Sequence, residues 1–426
     1  MLSMYSLHTL SNNLKVVTIP METASATVLV LMGAGSRYEK KAEGGLSHFI
    51  EHMMFKGTKN RPTAREIAQE IDGIGGEFNA YTAKDHTGYW IKAASEHIPF
   101  LIEMLSDMTL NSLLDGKEID REKGVIIEEM NMYEDTPMRK VSEVYEQLLY
   151  GDTPLGRDII GTKETVSSFS RENFQAYMER LYRPNNAVII VAGGMGKIPV
   201  VDHIQKHFGS WSDKKTPTFE KQTEKQKAPN LKIISKKTEQ THICIGVRAF
   251  GLSDPRRYSL SLLSVILGGG MSSRLFHEVR ERRGLAYYVH SSADKYQDVG
   301  NFVTQAGIDS AKVEEAVKVI VDEYFKITNY ELRIKDKELE KAKAFLKGHL
   351  VLGLEDSHGV AGFFGDSLLL EGKVRSVDEV VSLVETVTVE DVVSVAKDIF
   401  KKENLNIAAI GPFKEGIEEK IGSLVE

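Results

Sequence analysis

The run His48-Phe49-Ile50-Glu51-His52 is where this chain carries chemistry most visibly. Residues four apart on a helix share one face, about one turn apart. His48 and His52 can therefore grip one metal ion together. Glu51 projects near the same edge and can reach a water on that metal without being a ligand. Two imidazoles holding Zn²⁺, with a carboxylate taking the proton of its water, is the chemistry of metal-assisted peptide hydrolysis. Taken alone, the pattern also fits a helix with two incidental histidines. His203-Ile204-Gln205-Lys206-His207 has the same histidine spacing, but a lysine and no acid between them. It reads as a solvated helix face.

Zinc hydrolases usually add a third protein ligand and leave one position for water. The stretch Lys117–Asp135 has helical patterning and contains the adjacent acids Glu128 and Glu129. Helical phase places Glu129 among Val125, Ile126 and Tyr133, on the face expected to pack inward. Glu128 shares its side with Arg121, Asn131 and Asp135, expected to be wet. Glu122 lies two turns before Glu129 and points the same way. Carboxylates on an apolar face are costly unless something cationic meets them. A metal with its histidines meets that need, as would lysines or arginines elsewhere in the fold. The expectation is Glu129 as the third ligand and Glu122 as the group that orients a ligand or the water.

With this spacing the chain resembles the pitrilysin, insulin-degrading enzyme and mitochondrial processing peptidase family, whose inverted zinc motif is H-x-x-E-H. Gly44-Gly45-Leu46-Ser47-His48-Phe49-Ile50-Glu51-His52-Met53-Met54-Phe55-Lys56-Gly57-Thr58 is similar to the family wording, as is Asn79-Ala80-Tyr81-Thr82. The likeness runs from about Leu10 to Pro412 and fits the half-length, bacterial processing-protease-like branch. In the second half, Leu267-Gly268-Gly269-Gly270-Met271-Ser272-Ser273-Arg274-Leu275-Phe276 leads to Arg280 and then Gly284-Leu285-Ala286-Tyr287. The resemblance implies that Arg280 and Tyr287 bind the substrate carbonyl, where a cation and a phenol stabilise developing negative charge. It also implies one Zn²⁺ per chain and an extended peptide substrate added to a sheet edge at Asn79, Ala80 and Tyr81. The active unit it implies is a homodimer whose partner chain completes each site. Non-catalytic scaffold or partner subunits occur in the same family and typically lack an intact zinc motif. This chain keeps His48, Glu51, His52, Glu129, Arg280 and Tyr287.

The elements that must position these groups belong to a chain of 426 residues, enough for two to four domains. Hydrophobic residues make up 42% and charged residues 27%, as in a globular protein. A net charge of −7 argues against nucleic acid as the main partner. The one cysteine, Cys244, excludes an internal disulfide and lies in an apolar, strand-like run, where a buried thiol is expected. No apolar segment is long enough to span a membrane. Met1-Leu2-Ser3-Met4-Tyr5 lacks signal-peptide features, so a cytoplasmic location is expected.

The chain repeats itself. Strand-like Gly88–Ala93 precedes a helix near Pro99–Met108, and Gly300–Ala306 precedes one near Lys312–Phe325, an offset of 212 residues. Ser170 and Thr388 each cap a helix that runs into an apolar strand, an offset of 218. This predicts a duplicated domain. At the first offset His48, Glu51 and His52 correspond to Leu260, Leu263 and Ser264, so the second copy lacks the ligands. The lysine-rich stretch between the halves reads as a linker. The expected organisation is a zinc-binding domain over residues 1–212, a linker over 213–230, and a homologous domain over 231–426. The fold class is α+β, each domain a largely antiparallel sheet with helices on one face.

Overall fold

The computed structural model describes residues 5–223, 226–329 and 334–424; Glu224 and Lys225 of the expected linker lie outside the described residues. Six strands form the first sheet: β1 (Ser6–Thr9), β2 (Lys15–Pro20), β3 (Ser25–Met32), β4 (Glu77–Thr82), β5 (Thr87–Ala94) and β6 (Ala187–Gly193). Their order is β1-β2-β6-β3-β5-β4. Five strands form the second: β7 (Asn230–Ser235), β8 (Gln240–Phe250), β9 (Ala286–Lys295), β10 (Val299–Asp309) and β11 (Asn406–Gly411), ordered β7-β11-β8-β10-β9. All neighbours are antiparallel except one pair in each sheet, β2 with β6 and β7 with β11. Without β1, the two sheets have the same order and the same strand directions. The fold is thus α+β and internally duplicated.

The central strands are apolar on both sides. β6, Ala-Val-Ile-Ile-Val-Ala-Gly, is buried throughout, and β3 is buried from Ala26 to Met32. A strand with no wet face needs cover above and below. For the first sheet, part of that cover is the helix Ser357–Glu371, which comes from the second half of the chain. Thr27 Oγ1 lies 2.8 Å from Ser357 Oγ. Gly365 permits the close approach: a Cβ there would sit 2.6 Å from Leu31 Cδ1 and 2.8 Å from Ile190 Cδ1. The second sheet receives the helix Pro137–Tyr150 from the first half. Its Val141, Val144, Tyr145 and Leu149 share a core with Cys244, Ala408 and Ile410.

The two compact units therefore do not follow the halves of the sequence. One comprises Met1–Met130, Arg157–Glu220 and Val351–Val380; the other comprises Asn131–Gly156, Lys221–Leu350 and Val381–Glu426. Each half contributes one helix to the other half's sheet. Periodicity marks a helix's apolar stripe but not the sheet that stripe will cover, so a boundary drawn at the linker misses the exchange.

Candidate metal centre

The motif residues lie on a short helix, Leu46–Met53. Gly45 begins it at φ 93°, a left-handed conformation that favours glycine, and a Cβ there would lie 2.5 Å from Ile160 O. Glu39 serves the helix's first amides. Its carboxylate accepts from Gly45 N at 2.9 Å and Ser47 N at 2.7 Å, and also from the Ser47 hydroxyl. Burial pushes the Glu39 carboxyl up to about 7, against the opposing effect of the Ser47 and Gly45 bonds. Leu46, Phe49, Ile50 and Met53 face the core, with Phe49 edge-on to Phe174 at 4.9 Å. His48, Glu51 and His52 are left on the other flank.

The second helix, Gly116–Glu134, starts where Asp115 Oδ1 accepts from Lys117 N and Glu118 N. Ile119, Glu122, Ile126, Met130 and Tyr133 are buried on it, Glu129 is half-buried, and Glu128 is exposed. One residue departs from expectation: Val125 is 49% exposed rather than packed inward. At 100° per residue it falls to one side of the line joining Glu122, Glu129 and Tyr133, so the buried stripe is narrower than the apolar residues suggest.

These two helices bring His48, His52 and Glu129 together. Glu129 Oε2 lies 3.6 Å from His48 Nε2 and 3.6 Å from His52 Nε2. One donor atom from each of the three lies within 4.8 Å of the others, the only such group among the described residues. Tetrahedral zinc bonds of about 2.0–2.2 Å put neighbouring donors about 3.4 Å apart. The nitrogen, nitrogen and oxygen set and its spacing therefore fit zinc. Glu122 sits behind this group, with Oε1 2.9 Å from His52 Nδ1 and Oε2 2.6 Å from Lys56 Nζ. Burial would raise the Glu122 carboxyl, but the bonds from His52 and Lys56 outweigh it and hold it below 4.5. Engaging His52 Nδ1 leaves Nε2 facing Glu129, as a ligating imidazole requires.

Glu51 is held from the sheet. Thr82 Oγ1 donates to Glu51 Oε2 at 2.6 Å. Burial raises the Glu51 carboxyl above its ordinary value, opposed by the Thr82 bond and by His52. Thr82 ends β4, one of the two edge strands of its sheet. Strand alternation puts Phe78, Ala80 and Thr82 on the side of the motif helix, where Phe78 meets Phe55 at 5.7 Å. Asn79 is exposed, and its own Oδ1 accepts from Ala80 N at 2.9 Å. Tyr81 takes the opposite side, edge-on to His86 at 5.6 Å.

Arg280 and Tyr287 belong to the other compact unit and form a pair there. The Arg280 guanidinium lies 5.4 Å from the Tyr287 ring centre and 4.9 Å from that of Phe276. Tyr287 is 72% exposed. Leu260, Leu263 and Ser264 are buried in the helix Arg257–Gly268, so the second copy packs core residues where the first presents its histidines.

Three neighbours of the site escape a reading of the sequence. Lys56 follows His52 by one helical turn, a spacing that could have marked it. Thr82 could have been found from strand alternation once Ala80 was placed. Glu39 has no local spacing that ties it to Ser47.

Comparison with known proteins gives the family. Residues 15–163 match the family model Insulinase (Peptidase family M16), and residues 168–346 match Peptidase M16 inactive domain. The uncharacterized zinc protease YmxG of Bacillus subtilis is 37% identical over 407 residues, 95% of this chain and 98% of its own length. A zinc protease of Streptomyces coelicolor is 35% identical over 414 residues, 96% of this chain and 89% of its own. Among solved structures, a protease from Helicobacter pylori superposes with a TM-score of 0.88 at 26% identity, covering 97% of this chain and 100% of its own. The chain belongs to peptidase family M16, and the two relatives just given are named zinc proteases. Among the described residues no helix is long and apolar enough to cross a membrane.

Proposed function

We propose that this protein is a zinc metalloendopeptidase acting on peptides or unfolded polypeptide segments. The observation that carries the proposal is the convergence of His48 Nε2, His52 Nε2 and Glu129 Oε2, with Glu51 bonded to Thr82 beside them. His48, His52 and Glu129 would hold Zn²⁺, one per chain, and Glu122 would fix the His52 ring. Zinc held by these three residues would supply a Lewis acid for the scissile carbonyl and for a water. Glu51 then takes the proton of the attacking water and returns it to the leaving amine. Its raised affinity for a proton, caused by burial, suits a group that must both accept and release one. The substrate backbone would pair with the free edge of β4 at Asn79, Ala80 and Tyr81, displacing Asn79 Oδ1 from Ala80 N.

Arg280 and Tyr287 would meet the substrate carbonyl from a second copy of the chain. In this arrangement a cytoplasmic homodimer carries two equivalent sites. The exposed Tyr287 ring beside the Arg280 guanidinium is suited to such a role. Glu51→Gln tests the proposal. The amide keeps the shape and loses the base, so zinc content should stay at one per chain while hydrolysis of a fluorogenic peptide library disappears. Near wild-type turnover by that variant would refute the role of Glu51.

A further inference from the structure

A buried ion pair joins the segment that enters the motif helix to the turn that follows Thr82. Arg37 is 1% exposed, and its Nη1 lies 2.7 Å from Oδ1 of Asp85, whose side chain is 5% exposed. Arg37 stands on the segment that leads from β3 to the motif helix. Asp85 stands in the tight turn between β4 and β5. Phe219 covers the pair, with the guanidinium 3.7 Å from its ring centre. The same segment grips the same turn through the backbone. Ser36 N donates to Ala83 O at 3.2 Å, and Arg37 N donates to Lys84 O at 3.0 Å. Within the turn Ala83 N donates to His86 O at 2.8 Å, and at its far end Thr87 Oγ1 donates to Ala34 O at 2.7 Å.

This turn begins one residue after Thr82, whose hydroxyl holds Glu51. The entry segment meanwhile continues to Glu39, which fixes the start of the helix carrying Glu51. Segment 34–45 thus ties together the two elements whose relative placement sets the Thr82–Glu51 distance. A buried ion pair is a weak source of stability, since apolar residues of similar volume serve as well or better. What it supplies is direction: a guanidinium and a carboxylate accept only a narrow relative geometry.

We infer that the Arg37–Asp85 pair is a positioning device for the base: it fixes the β4–β5 turn and, through Thr82, aims the Glu51 carboxylate. The inference rests on Glu51 being the base of the proposed hydrolysis. Arg37 and Asp85 are not among the residues that would hold the metal; as positioning residues they act on turnover through Thr82.

The test uses the full-length chain loaded with zinc. Arg37→Met combined with Asp85→Leu replaces the pair by apolar side chains, so that neither partner is left buried and alone. This double variant should fold, bind one zinc per chain and melt near the wild-type temperature. Its kcat should fall about 10- to 100-fold, the scale of an ångström-level misplacement, with KM changed less than about twofold. Hydrogen exchange at the amides of residues 82–88 should quicken, while the helix Gly116–Glu134 should stay protected. Thr82→Val should reproduce the loss in kcat, and Thr82→Ser should recover most of it. Wild-type kcat in the folded, zinc-loaded double variant overturns the inference. So does unchanged exchange in the turn, or a Thr82→Ser enzyme as slow as Thr82→Val. Exchange reads the turn without turnover. A failure of the hydrolysis proposal would show in the wild type alone, as zinc bound and no peptide cut, and exchange would still decide whether the pair fixes the turn.

Discussion

Replacing Glu122 by glutamine should weaken zinc binding about 10- to 100-fold without unfolding the protein. The carboxylate serves two donors at once, His52 Nδ1 at 2.9 Å and Lys56 Nζ at 2.6 Å, from a side chain only 4% exposed. Glutamine can satisfy one of them. If its oxygen accepts from His52, its amide nitrogen faces the Lys56 ammonium, donor against donor. If it flips, the nitrogen faces His52 and favours the wrong tautomer. Groups that orient a metal's ligands typically contribute 10- to 100-fold in affinity, about 1.4–2.8 kcal/mol. Lys56→Met should cost less, because it keeps the Glu122–His52 bond and removes only the cation that holds the carboxyl low. The assay is competition for zinc against a chromophoric chelator near neutral pH, with circular dichroism as a check on folding. The bonds from His52 and Lys56 hold the Glu122 carboxyl below its ordinary range, so it is ionised at the pH of the assay. Equal zinc affinities, within twofold, would refute the orienting role.

Three further outcomes are expected. Glu129→Gln should lose more zinc affinity than Glu122→Gln, while Glu128→Gln, altered on the exposed side of the same helix, should bind as wild type; metal analysis after dialysis separates them. Glu39 makes stability depend on pH in the opposite sense to a carboxylate held low by a cationic partner. Between 4.5 and about 7 the native state holds a proton there that the unfolded chain has released, so stability falls as pH rises through that window, by about 3 kcal/mol if ionisation is complete. Glu39→Gln should therefore trail wild type in urea midpoint by less at pH 8 than at pH 5; a constant gap would count against a raised carboxyl. Finally, mixing inactive Glu51→Gln chains with inactive Arg280→Ala chains should restore some hydrolysis, since one site of a mixed dimer keeps both groups. If labelled subunits demonstrably exchange and no activity returns, the shared site is wrong.

What could be read without coordinates follows the range of the interactions. The grouping of His48 with His52 and of Glu122 with Glu129 rests on spacing within single helices, and it was legible. So was the duplication, because each copy repeats its own caps and apolar strands. Bringing the two helices to one point is a tertiary event, and its signal was the cost of two carboxylates on an apolar face in a chain that also offers two histidines, rather than periodicity. Thr82 was visible as part of a quoted motif but not as the partner of Glu51, because its side depends on strand register. The Arg37–Asp85 pair joins residues 48 apart on two loops, where no periodic signal exists. Val125 shows the converse error: an apolar residue within a helix's apolar sector can still face water.

The exchanged helices also set a clock on the ribosome. The first sheet is complete in sequence once β6 has been made, yet the helix that covers Leu31 and Ile190 begins more than 160 residues later. At about 5–20 residues per second, that interval is roughly ten to thirty seconds in which an apolar sheet face awaits its cover. The nascent first half is therefore a natural client for a chaperone, and residues 1–212 made alone should be sticky rather than soluble. The same geometry suggests an origin. A single ancestral copy, with no second half to lend it a helix, could close its sheet by trading helices with an identical neighbour, and joining two such genes would turn that swapped dimer into one chain.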